Sequence, residues 1–276
     1  MVEWAKMEVF MLSSHVILTF LTYFPIYAFL GWCLEVIYAS VNTSKFVNRG
    51  FLNGAVCPIY GVGAVLLIIF LTPLSNHLPL LFLASVMIAS LLELVGGYML
   101  EKLFHMRWWD YTEEPFNIGG FICLKFSLMW GIAGVFLMKL IQPMIAGILS
   151  HLPATPVLLI ICIFYLILIT DCLITIIAIA HLNRDLRQVH DLSRLIRAGS
   201  DTLAENLGTF AVDTSEKLDN RKDELAESLT KELEELLSHQ TRIRARILKA
   251  FPNAKHDRDR RALDTLRARY EARRKK

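Results

Sequence analysis

Apolar residues fill five long blocks of the chain and then give way to an alternating charged pattern. His15–Ser40, Gly54–Leu74, Leu80–Leu103, Phe121–Ile141 and Pro156–Ala180 are each nearly free of charge. About 20 mostly apolar residues suffice for a helix to cross the hydrocarbon core, so the blocks predict five transmembrane helices within residues 15–181. Pro25 lies inside the first block and predicts a kink or a fresh start there. In residues 1–14, Trp4, Met7 and Met11 recur at helical spacing beside Glu3, Lys6 and Glu8. That mixture predicts a short interfacial helix and lacks the basic start of a cleavable signal peptide.

From Leu182 the periodicity becomes that of an amphipathic helix. Leu186, Val189, Leu192, Leu195 and Ile196 make one apolar stripe, and Leu218, Leu225, Leu229, Leu233, Leu236, Leu237, Ile243 and Ile247 make a second. The second run drifts from a strict heptad, so a short antiparallel bundle and a coiled coil both fit it. The expected fold class is all-α integral membrane: an interfacial segment (1–14), a five-helix membrane domain (15–181) and a charged helical tail (182–276).

Composition and charge sharpen the division. The 276 residues are 54% apolar and 20% charged, which excludes a single soluble globule and a disordered chain. Residues 1–181 hold 7 Lys/Arg and 9 Asp/Glu, whereas 182–276 hold 22 and 17. Five crossings put the two basic connections, Val41–Asn53 and Phe104–Gly120, on the same side as the tail. Lys45, Arg49, Lys102 and Arg107 lie there with the tail's 22 basic residues, against Lys6 and Lys139 opposite. The positive-inside rule then predicts an outside N-terminus and a cytoplasmic tail. Cys33, Cys57, Cys123, Cys162 and Cys172 form no C-x-x-C pair and read as packing thiols, which excludes a disulfide scaffold. P-loop, H-E-x-x-H and G-x-S-x-G strings are missing from the chain. No catalytic residue, metal or cofactor is expected.

A weak internal repeat relates the two halves of the apolar region. GWCLEV, a basic connection and RGFLNGAVCPIYGVGAV match SLLELV, a basic connection and FNIGGFICLKFSLMWGIAGV. Glu35 pairs with Glu93, Gly54 with Gly120 and Cys57 with Cys123. Two crossings per copy make the copies parallel. Chance likeness between apolar segments is the alternative.

Glu35, Glu93 and Asp171 are the ionisable groups inside the predicted crossings, where each costs roughly 2.5–3.5 kcal/mol on insertion scales and needs a reason. They fall about 7, 9 and 10 residues from the cytoplasmic helix ends, at roughly 10–15 Å depth. Two readings follow. The carboxylates converge on a polar cavity that binds a cation or carries a proton, or each pairs separately with Lys45, Arg49, Lys102 or Lys125. The connections carry the second group of candidates. Arg49 and Asn53 in the first, with Arg107, Trp108, Trp109, Asp110 and Asn117 in the second, suit a cytoplasmic-face gate or a lid over a lipid headgroup. An aromatic belt that sets helix depth is the plainer reading of Trp108 and Trp109. The basic stretch from RIRARILKAFPN to RARYEARRKK points toward anionic lipid, with a solvated helix face as the alternative. Nucleic acid is not an expected partner.

GWCLEVIYASVNTSKFVNRGFLNGAVCPIYG, EKLFHMRWWDY, PFNIGGFICL and the tail string LKAFPN together resemble the CmpB-like family named "Putative ABC-transporter type IV". The likeness is strong over roughly Phe29–Pro143 and departs at Ala55, where the family more often has Pro. It implies a bacterial inner-membrane, multi-pass transporter or permease subunit, with any ATPase on a separate chain. It supplies no substrate. Five helices enclose little space, so a homo-oligomer with its path between protomers is expected. The alternatives are a scaffold that recruits a partner through its tail and a membrane-embedded lipid-handling enzyme.

Overall fold

The computed structural model describes residues 2–206, 242–251, 254–256, 263–264 and 267–268. Helix α1 spans Val2–Thr43 and continues through Pro25. An irregular connection leads to α2, Pro58–Leu71, which a 3-10 turn extends to Leu74. Helix α3 is Leu78–Phe104. The second connection holds β1 (Met106–Arg107), β2 (Asn117–Ile118) and β3 (Ile122–Cys123). Helix α4 (Leu124–Phe136), a π-helical turn (Leu137–Ile141) and α5 (Gln142–Ser150) form one rod. Helix α6 runs from Ala154 to Asn206, and the tail adds α7 (Arg242–Ala250) and β4 (Lys255–His256).

Among the described residues, four helices are long and apolar enough to cross a bilayer: Thr19–Val41, Leu78–Phe104, Leu124–Ser150 and Ala154–Gln188. The second apolar block is shorter. Its helix begins at Pro58 because proline cannot donate within a helix but suits the first turn, so Pro58 opens the helix instead of breaking it. The carbonyl of Gly54, four residues earlier, accepts from the Val56 N–H (2.9 Å). Helix α6, with 53 residues, extends about 80 Å, more than twice the roughly 30 Å hydrocarbon core. The chain is a multi-pass α-helical membrane protein.

α1 pairs with α2, and α3 with α4, while α2 packs on α3 and α6 touches both α1 and α3. Gly31 permits the first pairing: a Cβ there would sit 2.3 Å from the Tyr60 ring. Toward one end, Tyr27, Leu67, Ile68, Leu71, Leu81, Met138 and Ile145 are buried together. At the other end the core gathers distant parts of the sequence. Met106 and Trp108 meet Ile179, Leu182 and Leu186 of α6 and Ile247 and Leu248 of α7. β4 pairs antiparallel with β1, with Met106 opposite His256 and Arg107 opposite Lys255. The tail therefore folds back onto the membrane domain. Most of the second apolar stripe, with its bundle or coiled-coil expectation, lies outside the described residues.

Candidate functional site

Each of the three carboxylates on the candidate spans has its own surroundings. Glu35, on α1, accepts from the Tyr60 hydroxyl at Oε1 (2.7 Å) and faces Arg49 Nε at Oε2 (3.4 Å). Glu93, on α3, accepts from the Tyr111 hydroxyl (3.0 Å), with the Trp130 indole beside it. The residue is 8% exposed, and its Oε2 is sealed from solvent. Tyr60 and Trp130 stack edge to face at 5.7 Å, so an aromatic pair stands between the Glu35 and Glu93 positions. Asp171, on α6, accepts from the N–H groups of Asn53 (3.1 Å) and Gly54 (2.7 Å) and from Asn53 Nδ2 (2.9 Å). Thr175, one turn on, donates to Asp171 Oδ1 (3.4 Å) and also receives Asn53 Nδ2 (3.1 Å).

The first connection is organised by Asn48. Its Oδ1 accepts from the Trp32 indole (2.7 Å) and the Gly50 N–H (3.2 Å), and its Nδ2 donates to the Asn53 carbonyl (2.8 Å). This Asn-centred turn presents Asn53 and Gly54 to Asp171. Above it lies Arg246 of α7. Its Nε donates to Asn53 Oδ1 (3.0 Å), Nη1 to the Gly50 carbonyl (2.7 Å) and Nη2 to the Phe51 carbonyl (2.9 Å). Burial pushes the Arg246 guanidinium down from its usual range, and the charge of Asp171 opposes that shift.

The second connection is a hairpin whose turn is left-handed at Gly119 (φ 60°) and Gly120 (φ 74°). A Cβ at Gly120 would lie 2.7 Å from Asp110 Oδ1 and 2.8 Å from Arg107 Nη1. Arg107 donates to Glu101 (2.8 Å) and to the Gly119 carbonyl (3.1 Å), and lies 4.5 Å above the Phe121 ring. It also pairs with Asp110 (3.6 Å). Asp110 accepts from Lys255 as well. Burial alone would raise the Asp110 carboxyl, but Lys255 and the Thr112 N–H outweigh it and hold it down at about 2. Burial and the neighbouring Glu93 carboxylate push the Tyr111 phenol up.

The remaining sequence candidates hold the scaffold. Trp108 is buried edge-on between Phe51 (5.2 Å) and Phe251 (4.7 Å). Trp109 Nε1 donates to the Phe121 carbonyl (2.9 Å), and Asn117 bridges the Glu114 carbonyl (2.8 Å) and the Gly120 N–H (3.2 Å). Lys125 pairs with Glu114 (3.1 Å), and Lys102 lies over Tyr98. The structure thus brings Glu35 to Arg49, Asp171 to Asn53, and Arg107 to Asp110. Tyr60, Tyr111, Thr175, Arg246 and Lys255 complete these groups and were not singled out from sequence. Tyr and Thr in apolar helices carry no pattern of their own, and Arg246 and Lys255 are two among many basic tail residues.

Several long apolar helices, carrying carboxylates of which Glu93 is buried, define a polytopic membrane protein. Over residues 22–176 the chain matches the family described as "Putative ABC-transporter type IV", and it belongs to that family. No curated protein and no solved structure matches it.

Proposed function

We propose that the protein is a transporter or permease subunit whose polar site, formed by Glu35, Glu93 and Asp171, serves a cation or a proton-coupled solute. The observation that carries this reading is Glu93. A carboxylate only 8% exposed on a candidate span, met by the neutral Tyr111 hydroxyl and Trp130 indole, is costly inside a membrane, and such residues mark ion and proton pathways. Arg49, Asn53 and Arg107 to Asp110 form the cytoplasmic gate, supported by their salt bridges and their contacts with the tail. The membrane is the bacterial inner membrane, with five crossings, the N-terminus outside and the tail in the cytoplasm.

Two observations support five crossings. Pro58–Leu74 reaches about 27 Å at the rises of α and 3-10 helix, close to the roughly 30 Å hydrocarbon core. Cys57 and Cys123, paired in the sequence repeat, each stand as the extended residue at the start of a helix. The segments 1–14, 15–181 and 182–276 mark membrane depth, since both boundaries fall within continuous helices. The family name supports a separate ATPase subunit, and the basic tail favours contact with anionic lipid. Self-association would place the path between protomers.

The test is flux in proteoliposomes, read as proton movement by an entrapped pH dye against gradients of inorganic and organic cations. The triple variant Glu35→Gln, Glu93→Gln, Asp171→Asn should insert and remain monodisperse but lose flux. Full flux in that variant removes the carboxylate assignment.

A further inference from the structure

Arg246 is held in the way a bound ligand is held. Its three guanidinium nitrogens each donate to a different oxygen, and all three oxygens come from residues 50–53. Behind this cradle stands a counter-charge. The Asn53 amide whose oxygen faces the guanidinium donates through Nδ2 to Asp171 (2.9 Å), and Asp171 acts electrostatically on Arg246.

The cradle is shaped by groups other than Arg246. Asn48 ties the Gly50 N–H to the Asn53 carbonyl, Trp32 holds Asn48, and the Cys57 N–H anchors the far end of the connection on Ala28 of α1 (2.9 Å). Asp171 fixes the Asn53 and Gly54 N–H groups from below. The occupant, by contrast, comes from a nine-residue helix 193 positions away in sequence. If α7 lifts, three oxygens lose their donors and Asp171 loses its nearby positive charge, a state that another cation would relieve. Three acceptors that take Nε, Nη1 and Nη2 separately match a planar fork of donors, which an ammonium head or a small metal ion does not reproduce.

We propose that Gly50 O, Phe51 O and Asn53 Oδ1, backed by Asp171, form a binding site for small guanidinium-bearing cations, and that Arg246 is its tethered occupant. Free ligand and docked tail then exclude one another, and the tail caps the site when ligand is scarce. For transport this rests on the cation reading above, whose class of solute it names. Binding and tail release stand without it.

The test uses the full chain in lipid nanodiscs, with methylguanidinium as probe and methylammonium as control at equal ionic strength. Hydrogen exchange of residues 243–251 reads tail docking, and calorimetry reads binding to Arg246→Ala. Methylguanidinium should speed exchange of α7 in the unmodified protein and bind the variant, with methylammonium on the order of tenfold weaker or more, because it offers fewer oriented donors. Arg246→Lys, which keeps a tail cation with a poorer fit, should release its tail at lower methylguanidinium; this variant carries the test if Arg246→Ala does not fold. Unchanged α7 exchange in the unmodified protein overturns the proposal even if the variant binds, because Arg246 would then be a fixed staple. Equal binding of the two probes overturns the guanidinium assignment. Tail release without methylguanidinium flux in proteoliposomes upholds the site and removes only the transport reading.

Discussion

Asn53→Ala removes the amide that joins the tail to the membrane domain. The variant loses the Arg246 Nε bond at Oδ1 (3.0 Å) and the two Nδ2 bonds to Asp171 (2.9 Å) and Thr175 (3.1 Å). Much remains, because Asp171 keeps the Asn53 and Gly54 N–H groups and Arg246 keeps two carbonyls. Hydrogen bonds to charged groups contribute about 1.5–3 kcal/mol each, and the partial compensation leaves a net loss of about 2–3 kcal/mol for tail docking. At 1.4 kcal/mol per factor of ten, amides of 247–251 should exchange roughly 30- to 150-fold faster. Hydrogen exchange of the full chain in nanodiscs reads this directly. The α1–α2 contact around Tyr27 and Leu71 serves as an internal reference that should not change. If α7 exchanges at the unaltered rate while Asn53 is absent, the chain from Arg246 through Asn53 to Asp171 does not hold the tail.

Three further outcomes are expected. Gly31→Val places a branched side chain where even a Cβ would overlap the Tyr60 ring, so α1 and α2 must separate; size-exclusion of the detergent extract should show loss of monodisperse protein. Tyr60→Phe removes the donor to Glu35 and should lower stability by about 1.5–3 kcal/mol, seen as a reduced midpoint of thermal unfolding. Asp110 carries a depressed carboxyl, so its contribution is present above the ordinary carboxylate range and is lost as pH falls from about 4 toward 2. Exchange of residues 254–256 should accelerate over that window, and Asp110→Asn should abolish the pH dependence without restoring the docking of Lys255.

The membrane domain was legible because water and hydrocarbon sort residues by local composition. A block such as Leu80–Leu103 needs no partner to declare itself, and its helix runs Leu78–Phe104. The second block read as a crossing from Gly54, yet the helix waits for Pro58, because Asn53 and Gly54 are turned toward Asp171 and cannot also serve a helix. Glu35, Glu93 and Asp171 stood out for the same local reason, a charge among apolar neighbours. Their individual partners were hidden. Tyr60 and Tyr111 look like ordinary aromatic residues until packing aims their hydroxyls at Glu35 and Glu93.

Hydropathy along the chain was enough to establish an α-helical membrane protein, since an apolar helix satisfies its backbone hydrogen bonds within itself. Where the tail goes was beyond its reach. Ile247 and Leu248 are buried against Met106 and Trp108, and Arg246 reaches residues 50–53, through contacts between segments far apart in sequence. An amphipathic stripe states that a face will be covered but carries no record of the surface that covers it. That choice depends on shape and hydrogen-bond complementarity, which exist only once the membrane helices have packed and set the two connections side by side.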